Sequence, residues 1–221
     1  MRIAVSSAMD MLKLTEAAVV AHVALREVNR VIDERILPDC FISTEDGRRV
    51  ATAACPLISF YFDSARRLTA EERVFAINEA GSRLQKFRAL DFVSLIAEDW
   101  TVRDDFLTID FAPFLRGANE RMRRLEAARA VVVSDPEILG GAPVLRGTRV
   151  PVYDVAACVA AGDSMQDIIE AYPSINADKI GLAAIYAEAN PVRGRPRAFN
   201  ELPEGAILIA DRRVPRRRKR E

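Results

Sequence analysis

The sequence predicts an α+β, predominantly helical chain in four stretches. These are a helix-turn-helix (1–38), a small mixed α/β region completing the N-terminal domain (39–130), a three-helix, helix-turn-helix-like domain with a short β-hairpin (131–190), and a basic tail (191–221). Three observations carry this. Apolar residues recur at three- and four-residue spacing through much of the 221-residue chain. Short apolar runs of strand length lie beside turn residues. Charge is segregated: Lys+Arg 32 balances Asp+Glu 32 overall, yet residues 191–221 hold ten basic and four acidic residues, leaving 22 basic and 28 acidic in 1–190. A body of net −6 therefore precedes a tail of net +6.

Composition removes several function classes. A net charge near zero fits neither a uniformly basic nucleic-acid coat nor an acidic disordered chain. No apolar run approaches the roughly 18–20 residues that span a bilayer, so no membrane association is expected. Met1–Asp10 has one Arg and no apolar core, unlike a secretion signal. Cys40, Cys55 and Cys158 are scattered and odd in number. They point to a reducing cytoplasm, with no disulfide framework and no structural zinc. His22 is the single histidine, and no nucleophile motif surrounds it. The expectation is a non-enzymatic protein without cofactor or metal.

Element by element, Leu14–Leu37 comes first. Thr15 is expected to cap a helix whose Ala17, Ala18 and Ala21 give a smooth surface for close crossing. From Ala24 a second helix places Leu25, Val28, Ile32 and Ile36 on one face and Arg26, Asn29, Arg30 and Asp33 on the other, until Pro38 stops it. Val23, Val28 and Val31 supply the apolar contacts between the two. The spacing is that of a helix-turn-helix, with His22 at the turn where Gly is usual because the backbone often needs positive φ; His is among the residues that tolerate it. Arg26, Asn29 and Arg30 would then face a major groove, Arg suited to guanine and Asn to adenine. An ordinary helical hairpin with a solvated polar face is the plainer alternative.

In the middle region, Phe41–Ser43 and Arg48–Ala53 flank the turn Glu45-Asp46-Gly47, predicting a β-hairpin. Thr69 opens a capping box and a helix through about Leu84. Asp91–Ala97 and Phe106–Phe111 read as short strands. Asp105 and Asp110 invite a metal-nuclease reading, against the plainer one of turn residues and a solvated strand end. Ala112–Ala130 is a charged helix whose Arg121, Arg123, Arg124 and Arg129 read as a solvated face.

The third region is the most distinctive. Val131–Val133 is a short strand, Gly140-Gly141 a bend, and Val144–Val152 a second extended piece holding Arg146-Gly147-Thr148-Arg149. Helices follow at Val152–Ala161, Ser164–Tyr172 (capped by Ser164, with Met165, Ile168, Ile169 and Tyr172 buried) and about Ala177–Ala189, burying Ile180, Ala183, Ala184 and Ala187. The stretch SDPEILGGAPVLRGTRVPV, followed by AAGDSMQDIIEAYPSI and the closing helix, resembles domain-of-unknown-function family 433 over roughly residues 130–190. Nearly end to end, the chain resembles VapB-type antitoxins, in which a helix-turn-helix precedes this domain and a basic tail follows it. The departure is His22 at the turn, which bears on how DNA is contacted.

The resemblance implies the antitoxin of a bacterial type II toxin–antitoxin system, neutralising a PIN-like (VapC-type) ribonuclease toxin and repressing its own operon. Its partners would be that toxin, operator DNA and a second copy of the chain, as a homodimer or a larger toxin–antitoxin hetero-oligomer. Gly141, Pro143, Arg146, Gly147, Thr148 and Arg149 are structural or partner-binding, and both readings stay open. Asn176 and Lys179 are weaker candidates for DNA contact. In the tail, Pro191–Phe199 reads as a linker and Ala206–Ala210 as a short apolar run. Arg212, Arg213, Arg216, Arg217 and Arg218 would dock on the toxin, because a guanidinium fork matches the carboxylates of a metal-dependent nuclease. DNA phosphates, or plain solvation, are the other destinations for that charge. A stand-alone DNA-binding transcriptional regulator is the alternative function.

Overall fold

The computed structural model describes residues 10–45, 47–86 and 92–192, with the side chains of 92 and 93 outside that description. The predicted tail contacts at Arg212, Arg213, Arg216, Arg217 and Arg218 lie outside the described residues. The described chain is mostly helical with small sheets. Those residues up to Pro191 belong to one compact unit.

The chain enters on β1 (Met11–Lys13), a strand the sequence patterning does not announce because it is three residues long. Helices α1 (Leu14–Ala21) and α2 (Leu25–Asp33) follow, then β2 (Ile42–Ser43) and β3 (Arg49–Ala51). The sheet order is β1-β3-β2, antiparallel, with Leu12 and Ile42 both opposite the buried Val50. The hairpin predicted around Glu45–Gly47 is therefore the β2–β3 pair.

Helix α2 ends earlier than predicted. Pro38 does not stop it; Arg35 does, in left-handed backbone at φ 52. The Ile36 amide then donates to Val31 O and that of Arg35 to Ile32 O, closing the helix as a Schellman turn. Ile36 is buried beyond the helix rather than on its face, and Leu25 is 42% exposed, so Val28 and Val31 carry the packing. Thr15 is not the cap of α1. Lys13 holds the cap position, its amide satisfied by Glu16 Oε2 at 2.9 Å, and the Thr15 hydroxyl donates instead to Ala189 O at 2.6 Å.

Helix α3 (Cys55–Asp63) has no counterpart in the sequence reading; its near-continuous apolar run is buried and shows no amphipathic period. Helix α4 (Ala70–Lys86) opens with the predicted capping box, Thr69 Oγ1 accepting from the Glu72 amide and Glu72 Oε2 from that of Thr69. The strand predicted at Asp91–Ala97 is instead helix α5 (Phe92–Ile96); a short apolar run does not by itself separate the two states. Strands β4 (Thr101–Asp104) and β5 (Leu107–Asp110) form a hairpin. Next comes α6 (Ala112–Val131), which buries Leu115, Ala118, Met122, Leu125 and Ala128 along one stripe.

Strands β6 (Val132–Val133) and β7 (Val144–Leu145) pair antiparallel, so the second extended piece is shorter than Val144–Val152. Helices α7 (Val152–Ala161), α8 (Met165–Ala171) and α9 (Ala177–Ala189) complete the description. Met165 is 46% exposed rather than buried, while Ile168 anchors α8. On α9, Ile180, Ala183 and Ala189 are buried, and Ala184 and Ala187 only half so. Two apolar clusters result. One runs from Leu12 to Leu125 and takes in Ala189; the other joins Val132, Leu145, Val152, Val155, Ile168, Ile175, Ile180 and Ala183. Helix α9 links them, packing on α7, α6 and α1.

Candidate functional site

The candidate surface is built on α1, which is anchored from two sides. Arg121 on α6 donates from Nε to Val20 O at 2.6 Å, and burial pulls the pKa of its guanidinium down. Arg129, also on α6, pairs with the buried Glu16 at 2.9 Å. Arg121 is half-buried rather than the solvated residue the sequence suggested, and Arg129, though exposed, is tied to α1 by its ion pair. At the other end of the helix, Lys13 Nζ donates to Asn190 Oδ1 and Thr15 donates to Ala189 O.

Three residues, His22-Val23-Ala24, separate α1 from α2. His22 takes φ 57 and ψ 50, the left-handed region. Its amide donates to Val19 O and that of Val23 to Ala18 O, the two bonds of a Schellman closure. The Ala24 amide is then met by Glu27 Oε2 at 2.8 Å, opening α2 without a capping hydroxyl. With Val28 and Val31 turned inward, Arg26, Asn29 and Arg30 share the outward side.

These three residues differ in what already holds them. Arg26 is exposed and makes no ion pair among the described residues. Arg30 Nε donates to Glu34 Oε1 at 2.9 Å, and that bond raises the guanidinium pKa. Asn29 is engaged at both ends: Nδ2 donates to Leu25 O at 3.0 Å, and Oδ1 accepts from Arg48 Nη1 at 3.5 Å. Arg48 also holds Asp33 at 2.8 Å. Its place on this surface escaped the sequence reading; the available signal was a basic pair, Arg48-Arg49, directly after the hairpin turn that follows α2.

The Gly141–Arg149 segment is occupied largely by its own hydrogen bonds. Gly141 and Gly147 adopt φ 87 and 77. Pro143 O accepts from the Val152 amide at 3.0 Å. The Arg146 amide donates to Val131 O, and its Nε reaches Ala130 O at 3.0 Å, placing a cation on the C-terminal carbonyls of α6. Thr148 Oγ1 donates to Leu145 O and accepts from the Val150 amide. Arg146 and Arg149 are both exposed and without an ion pair among the described residues, and Arg146 differs in being tied to Ala130 O. Asn176 caps α9 by accepting from the Lys179 amide, and Lys179 Nζ donates to Arg146 O. Both thus have structural work at the loop.

Asp105 sits at the β4–β5 turn with φ 41, and Asp110 Oδ1 accepts from the Ala112 amide at the start of α6. They stand at opposite ends of β5 and its turn. Cys55 lies in the larger cluster, where burial pushes its thiol up to about 12.

Residues 132–187 match the family described as "Protein of unknown function (DUF433)", which places a DUF433 domain from β6 to α9. Across 210 residues, 95% of this chain and 95% of the relative, the sequence is 62% identical to "Uncharacterized protein y4eO" of Sinorhizobium fredii (strain NBRC 101917 / NGR234). The chain belongs to the y4eO family. The resemblance to y4eO takes in both the α1–α2 region and the DUF433 domain, since it spans nearly all of each chain. No solved structure matches the chain. Among the described residues, no helix is long and apolar enough to cross a membrane.

Proposed function

We propose that this member of the y4eO family is the antitoxin of a bacterial type II toxin–antitoxin system, with α1–α2 acting as a helix-turn-helix on operator DNA. The observation that carries the reading is the joining of two parts. A DUF433 domain closes with α9, and α9 packs on the first helix of a pair separated by a three-residue, left-handed turn. Helix α1 is the anchored member, and α2 is the one whose polar side faces solvent. Arg26 would address a guanine edge directly; Arg30 would exchange Glu34 for a base or phosphate.

One short recognition helix covers only a few base pairs, so the DNA-bound form would be a dimer on two half-sites. The partner of the basic C-terminal residues would be the acidic active site of a PIN-like ribonuclease. Ordering such a segment on its target costs several kcal/mol, on the order of 2–5, and a large interface must offset this.

The test is co-expression with the neighbouring reading frame, followed by a DNA shift assay on the upstream region. A co-purifying small nuclease, lost on deletion of residues 200–221 while DNA binding persists, is the expected result. DNA binding with no nuclease partner leaves the stand-alone regulator. A chain that binds neither ends the proposal.

A further inference from the structure

We infer that Arg48 is a further DNA-contacting residue, parked on Asp33 and Asn29 in the free chain and transferred to a backbone phosphate when α2 enters the groove. This rests on the DNA-binding reading above and adds a residue outside α2 to it.

The β2–β3 hairpin carries Arg48 to the solvent side of α2, where it spans Asn29 and Asp33, one helical turn apart on the same face. Arg48 and Asp33 are each about half exposed, at 48% and 54%. An exposed ion pair of this kind contributes little in water, so its exchange for a phosphate meets little resistance. A guanidinium fork suits a phosphate at least as well as a lone carboxylate.

The exchange has a consequence for Asn29. A bidentate pair with adenine needs both the amide oxygen and the amide nitrogen. Among the described residues Asn29 Nδ2 donates to Leu25 O at 3.0 Å, and Oδ1 accepts from Arg48 Nη1 at 3.5 Å. Moving Arg48 to a phosphate frees Oδ1 at the moment a base edge arrives. The hairpin thus ties backbone contact to base reading: the long, exposed Arg48–Asn29 contact is the one that gives way when a phosphate comes within reach. Asp33 opposes the transfer, because it loses its counter-ion as the phosphates approach.

The experiment measures binding of the full chain to a labelled fragment of the DNA upstream of its own reading frame, across a salt series, for wild type, Arg26→Ala, Arg48→Ala, Arg48→Lys and Asp33→Asn. Arg48→Ala is expected to weaken binding about tenfold and to lower the salt slope by about one released counter-ion. Arg48→Lys keeps the slope. Asp33→Asn, which removes the competing carboxylate, tightens binding severalfold. If Arg26→Ala weakens binding but Arg48→Ala changes neither affinity nor slope, the inference fails while the DNA-binding reading stands. A loss of affinity at unchanged slope makes Arg48 a support for the helix and also overturns it. If the wild-type chain binds no DNA, both readings fall together.

Discussion

Two pairs of consecutive helices in this molecule, each joined by three residues, share one backbone device and differ in what they present. Between α1 and α2 the turn is His22-Val23-Ala24; between α7 and α8 it is Gly162-Asp163-Ser164. Each opens with a left-handed residue, at φ 57 and φ 87, and each is closed by the same pair of Schellman bonds. The fourth residue of the second helix is buried in both, Val28 in one and Ile168 in the other. The outward residues diverge. Helix α2 offers Arg26, Asn29 and Arg30, whereas the matching positions of α8 are Gln166, Ile169 and Glu170. Asp163 and Asp167 add acid to the second segment. The first segment has cations to offer a phosphate, although Glu27, Asp33 and Glu34 stand among them, whereas the second has acids alone, so the same backbone closure presents different chemistry in the two places.

The strongest way to break this comparison is to exchange charge. On the proposed DNA-binding reading, replacing Arg26 and Arg30 by Ala is expected to weaken binding to the upstream DNA by about a hundredfold or more, at about 1–3 kcal/mol for each arginine that reads a base. Replacing Gln166 and Glu170 by Ala should leave it unchanged. Anisotropy titrations decide this, and equal losses from both pairs would end the distinction.

Next in size is the support beneath α1. Glu16→Ala strands Arg129 and uncaps the Lys13 amide. Because Arg129 remains 38% exposed, the expected cost is about 2 kcal/mol, below the range for a fully buried pair. Denaturant unfolding measures it; no counterpart of this ion pair braces α7 among the described residues.

The turns themselves should respond with opposite signs. His22→Gly relieves a left-handed side chain and is expected to stabilise by about 0.5–1 kcal/mol, while Gly162→Ala costs about 1 kcal/mol. A Cβ at Gly162 would meet nothing within 4 Å, so the penalty there is one of backbone strain alone. Melting temperatures of the two variants, moving in opposite directions, would confirm that the closures are alike.

The smallest effect at neutral pH separates the two apolar clusters. Cys55 keeps its proton in the folded chain to about pH 12, whereas an unfolded thiol releases it near 9. Folded protein then binds more protons than unfolded protein between those values, so stability is whole below pH 9 and falls as pH rises toward 12. Cys55→Ala should remove that part of the alkaline slope. Cys158, at the half-exposed edge of the other cluster, should react with a thiol reagent before Cys55 does.

The capping box at Thr69, the cap at Ser164 and the left-handed turn at His22 were legible in the sequence, because each depends on residues within four positions. The boundaries of α7 and α9 were legible for the same reason. Helix α3 was not, since a helix buried on all sides carries no polar face to reveal its period. Strand β1 was not either, because three residues are ordered by pairing with β3, forty residues away, rather than by their own pattern.

By itself, then, the sequence determined the closures at His22, Thr69 and Ser164, the polar side of α2 and the segregation of charge, but not the closure of α2 at Arg35 or the cap of α1 at Lys13. Tertiary structure alone decided which arginines are spoken for. Arg121 and Arg129 look alike with their neighbours Arg123 and Arg124 in a charged helix, yet the approach of α1 gives two of them fixed partners. Arg48 was one more basic residue near a turn until the β2–β3 pairing set it against Asn29 and Asp33. A hydrogen bond requires two groups at a fixed distance, and where the groups are far apart in the chain only folding brings them together.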